Sequence, residues 1–123
     1  MQAADGTFMI LDLESVAIFI RPGVTDMRKQ ANGLSIVVEQ LMLKNPGSGS
    51  LFLFCNREKK LLKGLWWDRN GFWLAQKRLE KGRFPWPSTE EDARQISSDQ
   101  LLMLLTGIDF WNAHQNIEYE SMN

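Results

Sequence analysis

The chain has 123 residues, 44% of them hydrophobic and 24% charged, and fourteen Lys and Arg against fifteen Asp and Glu leave a formal charge of -1. That composition belongs to one folded domain; it excludes a disordered tail protein and gives no bulk attraction to nucleic acid or to an anionic membrane. One cysteine, Cys55, and one histidine, His114, exclude an internal disulfide framework and a Cys/His zinc site.

Val16 to Ile20 is a β-branched and aromatic run closed by Arg21-Pro22-Gly23, which predicts a strand and a turn. Thr25 or Asp26 can cap a following helix. Met27, Ala31, Leu34, Val38 and Leu41 recur at steps of three and four before Lys44-Asn45-Pro46-Gly47, so the spacing predicts one amphipathic helix over 26–44. After the Ser48-Gly49-Ser50 loop, Leu51 to Cys55 reads as a buried strand and Asn56 to Lys60 as a polar turn.

Leu61 to Trp67 and Phe72 to Leu79 are apolar and aromatic runs separated by Asp68-Arg69-Asn70-Gly71, a strong hairpin signal. Two turns are open here: a two-residue Asn70-Gly71 loop, or a three-residue loop ending in Gly71. They put the tryptophans of the second strand on opposite faces. Two prolines keep Arg83 to Pro87 extended, and Ser88 to Arg94 is a polar connector. Ser97 and Gln100 have capping-box spacing, and Leu101, Leu102, Leu104, Leu105 and Ile108 give a helix face over about 98–107. Beyond Trp111 the chain is polar and acidic, which predicts a frayed tail after an ordered core of about 14–111.

Near-neutrality conceals an uneven layout. Residues 57–83 hold nine bases against three acids, whereas residues 84–123 hold seven acids and only Arg94. In the basic stretch, Arg57, Lys59, Lys60, Arg69, Lys77, Arg78, Lys81 and Arg83 are interleaved with Trp66, Trp67 and Trp73. Cations that hold phosphates beside aromatic rings that stack on bases are the grammar of nucleic-acid binding, although the same tryptophans could simply fill a core. A second candidate is the predicted helix start, where Arg28 and Lys29 oppose the helix dipole and could anchor an anion, unless Arg28 merely pairs with Asp26.

Catalytic groups are scarce. Asp26, Asp68 and Asp109 follow no metal-binding motif, Cys55 lies in an apolar strand, His114 has no evident acid and nucleophile beside it, and Gly47-Ser48-Gly49 lacks the rest of a phosphate loop. The expectation is a protein that is not an enzyme and uses no metal or cofactor. Acids rather than bases in Met1 to Asp12, and no apolar stretch near the roughly 20 residues that span a bilayer, predict a soluble cytoplasmic protein without membrane contact.

Thr25-Asp26-Met27-Arg28-Lys29, Gly33-Leu34, Leu65-Trp66-Trp67-Asp68 with Gly71-Phe72, Lys77-Arg78-Leu79-Glu80-Lys81-Gly82-Arg83-Phe84, Trp86-Pro87 and Gly107-Ile108-Asp109 together resemble one family. It is the small second-open-reading-frame protein of insertion sequences of the sixty-six type, often labelled TnpB, and the resemblance runs from about Val16 to Phe110. It implies an accessory role in DNA transposition beside a separate, larger transposase that carries the strand chemistry.

The expected architecture is a single α+β domain over 1–123: a mainly antiparallel sheet of four or five short strands, one long helix (26–44) on one face, and a short helix (98–107) at an edge or end. The expected function is an accessory DNA-binding protein of transposition. Its rival is a protein-interaction module that meets an acidic surface of the transposase, or self-associates through its own basic and acidic regions.

Overall fold

The computed structural model describes residues 11–88 and 93–111. In chain order the elements are β1 (Ile18–Ile20), α1 (Ala31–Gln40), β2 (Leu51–Cys55), β3 (Leu61–Asp68), β4 (Gly71–Arg78), β5 (Arg94–Ile96) and α2 (Ser98–Thr106). The strands form one sheet in the order β4-β3-β2-β1-β5. Both β3 and β4 run antiparallel to their preceding strands, and β5 runs antiparallel to β1, but β1 and β2 are parallel. This corrects the mainly antiparallel expectation to a mixed sheet. The cause is the crossover: α1 carries the chain back along the sheet before β2 begins, and a helical crossover is what joins two parallel strands.

Alternation along each strand divides the core in two. Phe52 and Phe54 of β2 and Leu65 of β3 pack beneath Leu34, Val37 and Val38 of α1 and Met42 just beyond it. On the opposite face Ile18, Ile20, Leu51, Leu53, Leu62 and Trp66 pack with Leu101 and Leu104 of α2 and with Phe84 and Trp86. The second helix therefore packs on a sheet face rather than at an edge or end, and Phe84 and Trp86 of the extended segment belong to the same layer. Burial on both sides explains why every residue of β2 is apolar.

The helix over 26–44 is shorter than its periodicity implies. Residues 26–30 form a turn in which the Asp26 carboxylate accepts the Arg28 backbone N–H at 2.9 Å. The side chain of Lys63, 3% exposed, reaches under that turn and donates to the Met27 and Lys29 carbonyls at 2.8 and 2.9 Å. A lysine on the inward face of β3 thus occupies carbonyls that an earlier-starting helix would have used itself. At the other end Leu43 adopts the left-handed region, φ 56, and stops α1.

By contrast α2 follows its sequence signals. Ser97 Oγ accepts the Gln100 N–H at 3.1 Å and Gln100 Oε1 accepts the Ser97 N–H at 2.9 Å, the reciprocal box expected from their spacing. Gly107 caps the far end at φ 85, a conformation that favours a residue without Cβ.

The β3–β4 turn is neither of the two expected. Arg69 and Asn70 form the two-residue loop, with Asp68 paired to Gly71, Trp66 to Trp73 and Leu65 to Leu74. The loop is one residue earlier than an Asn-Gly turn, so pairing shifts by two residues and the faces are unchanged. This register seats Leu74 against Leu65 under α1 and brings two cross-strand aromatic pairs together at the loop end. Gly64 sits opposite Ala75, and a Cβ at 64 would meet Leu53 and Leu51 methyls at 3.3 and 3.4 Å. The fifth strand, β5, begins at Arg94, the last residue of the expected polar connector; three residues, two of them Arg and Gln, carry too little pattern to announce a strand.

All five strands of the described residues belong to one sheet. The predicted frayed tail after Trp111 lies outside them.

Candidate functional site

Pairing and loop contacts decide where the cations go. The β2–β3 turn at 56–60 is built by Asn56, whose Oδ1 accepts the backbone N–H groups of Lys60 and Leu61 at 3.0 and 3.1 Å. Next to it runs the chain leaving β4: Leu79 N–H donates to the Lys60 carbonyl at 2.8 Å, and Phe84 N–H to the Lys59 carbonyl at 2.7 Å. Two stretches twenty residues apart in sequence therefore share one end of the sheet. They bring together Arg57, Lys59, Lys60, Arg78, Lys81 and Arg83, with Glu58 and Glu80 as the carboxylates of those two stretches.

Among the described residues none of these six cations forms an ion pair. Arg57, Arg78, Lys81 and Arg83 are exposed and Lys60 is half-buried. Lys59 Nζ donates to Ser88 Oγ at 2.8 Å, which ties the turn to the segment after Trp86. Lys59 also adopts the left-handed region, φ 61, where asparagine or glycine would be less strained. Six cations against two carboxylates, Glu58 and Glu80, raise the local positive potential although the whole chain is nearly neutral.

The remaining expected contacts are elsewhere. Arg69 is in the β3–β4 loop at the other end of the hairpin, roughly 25 Å away along eight-residue strands, and lies 3.5 Å from Asp68. Lys77 Nζ donates to the Leu105 carbonyl at 3.0 Å, where a cation completes the C-terminal turn of α2. Arg28 makes an ion pair with Asp26 at 2.8 Å, and its guanidinium holds the Asp26 carboxyl well below the usual carboxylate range. Since α1 begins only at Ala31, Arg28 and Lys29 precede the helix rather than occupy its first turn. The pairing of Arg28 with Asp26 is thus the observed arrangement.

The tryptophans also separate. Trp66 is 4% exposed and belongs to the core; its buried indole N–H has no hydrogen-bond partner. Trp67 is half-buried on the α1 side, edge-on to Phe72 with centroids 5.0 Å apart. Only Trp73, 45% exposed, offers a ring face to solvent; it stacks on Trp66 at 6.2 Å and donates to Asp68 Oδ2 at 3.2 Å. The six clustered cations and the three tryptophans interleave in sequence but occupy opposite ends of the β3–β4 hairpin.

Cys55 is fully buried, and burial pushes its thiol up to about 12, so it behaves as a small apolar core residue. Among the described residues no cluster of three or more His, Cys, Asp or Glu could hold a metal. No helix of the described residues is long and apolar enough to cross a membrane.

The geometry defines a small mixed-sheet fold with a helix packed on each face and, at one end, a basic cluster that has no ion pair among the described residues. Residues 16–115 match the IS66 Orf2-like protein family, and the chain belongs to that family. It is therefore an accessory protein of IS66 transposition. Two relatives from Sinorhizobium fredii (strain NBRC 101917 / NGR234) are similar to it. The uncharacterized protein y4hO is 44% identical over 97 residues, covering 79% of this chain and 84% of the relative. The uncharacterized protein y4jC is 29% identical over 102 residues, covering 83% and 87%. No solved structure matches.

Proposed function

We propose that this protein serves IS66 transposition by binding DNA without catalysis, holding the phosphate backbone at the basic end of its sheet. Arg57, Lys60, Arg78, Lys81 and Arg83 are the principal contacts, with Lys59 at their centre. The observation that supports this reading is the convergence of six cations from the 56–60 turn and the 78–83 segment, none ion-paired among the described residues. Pairing such groups with internal carboxylates would have stabilised the fold at little cost, whereas leaving them solvated suits a polyanionic partner outside the domain. Contacts of this type fix position on a duplex and read no base sequence.

Trp73 is the stacking candidate, because its ring reaches solvent; Trp66 and Trp67 are committed to packing. Its distance from the basic end makes stacking subsidiary to the phosphate contacts.

Titration of labelled duplex and single-stranded DNA with the full chain at about 0.15 M salt tests the reading. Micromolar binding is expected, with log K falling by about 0.9 per phosphate contact for each unit of log salt on duplex. Reversing Lys81 and Arg83 to Glu abolishes it, while Arg69→Glu at the far end changes it little. No binding at about 100 µM protein, or equal losses from both ends, overturns the proposal. Retention of the transposase by the wild-type chain in the absence of DNA, lost with the Lys81 and Arg83 reversals, would identify an acidic protein surface as the partner instead.

A further inference from the structure

We propose that the free edge of β4 is a self-association surface, on which two copies of the chain pair antiparallel about Ala75 to make one continuous sheet. Among the described residues β4 has a neighbour on one side only. The other edge strand, β5, spans three residues; β4 spans eight, and Gly71 to Gln76 contains no charge and no proline. Natural sheets blunt long edges with charges, prolines or bulges; β4 has no proline and carries charge only at its end, Lys77 and Arg78.

The backbone fixes which groups are available. Asp68 and Gly71 flank the two-residue loop, and the Leu79 N–H donates to the Lys60 carbonyl at 2.8 Å, on the same ladder. In an antiparallel ladder, positions alternate between hydrogen-bonded and non-hydrogen-bonded pairs. Residues 71, 73, 75, 77 and 79 therefore turn their N–H and C=O groups toward β3, and Phe72, Leu74, Gln76 and Arg78 turn theirs to the open edge.

One register uses all of these outward groups. With Ala75 opposite Ala75 of a second copy, Phe72 pairs with Arg78 and Leu74 with Gln76 across the axis, so every outward N–H and C=O from 72 to 78 finds a partner. A shift of two residues in either direction leaves some unpaired. The same register sets Trp73 opposite Lys77 on one face and Phe72 opposite Arg78 on the other, which are aromatic–cation pairs on both sides. No two cations face each other, and the smallest side chain of the strand's centre lies on the axis. A second copy is thus a partner of matching chemistry: its cations meet this copy's rings and its backbone completes this copy's edge.

An apolar cavity of about 160 Å³ opens beside this edge, lined among others by Ala75, Lys77, Leu101 and Leu105. In the paired arrangement the Trp73 ring of the second copy lies next to Lys77 at its rim. The paired sheet would therefore also cover apolar surface that the single copy leaves open.

The inference does not depend on DNA binding, and its test contains no nucleic acid. Sedimentation equilibrium or light scattering of the full chain up to about 100 µM is expected to give the mass of two chains. Gln76→Pro removes an outward N–H at an exposed position without touching the β3 ladder, and it should return the protein to one chain while the circular dichroism spectrum is retained. Trp73→Lys sets two lysines opposite each other and should raise the dissociation constant by about tenfold or more, whereas Trp73→Glu should not. A wild-type chain that stays single at the highest concentration overturns the proposal, as does a pair that survives in folded Gln76→Pro.

Discussion

The two ends of the β3–β4 hairpin use similar residue types for opposite purposes. At the loop end, Trp66, Trp67, Phe72 and Trp73 pair with one another across the strands, and the nearby cation Arg69 lies beside Asp68. At the other end Arg57, Lys60, Arg78, Lys81 and Arg83 have no ring and no carboxylate partner among the described residues. The first end spends its side chains on the fold; the second leaves them to solvent. Exposure and partners, rather than residue type, tell a packing group from a binding group, and Lys63 shows the same within one strand, since it is a cation wholly committed to holding the 26–30 turn.

The contrast can be broken most directly at the loop end. Trp66→Ala should destabilise the domain by about 3–5 kcal/mol in urea unfolding, because it leaves a cavity in the α2-side core. Lys81→Ala or Arg83→Ala at the basic end should change stability by no more than about 0.5 kcal/mol. Comparable losses at the two ends would mean that the basic cluster is structural.

Lys63→Met comes next, at about 1–3 kcal/mol, since it leaves the Met27 and Lys29 carbonyls without their buried donor. Faster amide exchange over 26–30 would accompany it. If the variant instead matched wild type, the lysine would have no structural role to set against the solvated cations.

Cys55 gives a pH dependence of known sign. Its folded value, about 12, lies above the ordinary 9.0, so the native state keeps a proton that the unfolded chain releases. Stability from this group is complete below about 9, falls as pH rises toward 12, and changes by at most about 1.4 kcal/mol per pH unit. The slope of unfolding free energy between pH 9 and 11 should be shallower in Cys55→Ala. Equal slopes would show the thiol to be less protected than its burial implies.

The smallest effect has the opposite sign. Arg69 stands at φ 54, so Arg69→Asn, at a position that tolerates asparagine better, should stabilise by about 0.5–1 kcal/mol. Lys59→Asn, at φ 61, should do likewise while weakening DNA binding if the basic end holds phosphates.

Much of this was legible from local pattern. The α2 box at Ser97 and Gln100, the buried β2 run and the β3–β4 hairpin were readable because each signal is complete within a few residues. The start of α1 was not, because its periodicity extends through Met27 while the residue that delays the helix, Lys63, is 34 residues downstream of Lys29. The parallel direction of β1 and β2 escaped for a similar reason, since it belongs to the crossover and not to either strand, and β5 escaped because three residues carry too little pattern. The candidate site was half legible. The charge excess over 57–83 marked it, but not which cations would be occupied by Ser88, Leu105 or Asp68, and not which tryptophan would face outward.

The sequence by itself determined which segments had to be buried, how they alternate, where α2 is capped, and that positive charge concentrates in mid-chain, since all of these are properties of neighbours along the chain. Only tertiary structure decided that six cations share one sheet end and that Trp66, Trp67, Phe72 and Trp73 gather at the other. The register of β4 on β3 and the return of the chain at Phe84 to Lys59 set those distances, and both are fixed by packing on two sheet faces at once.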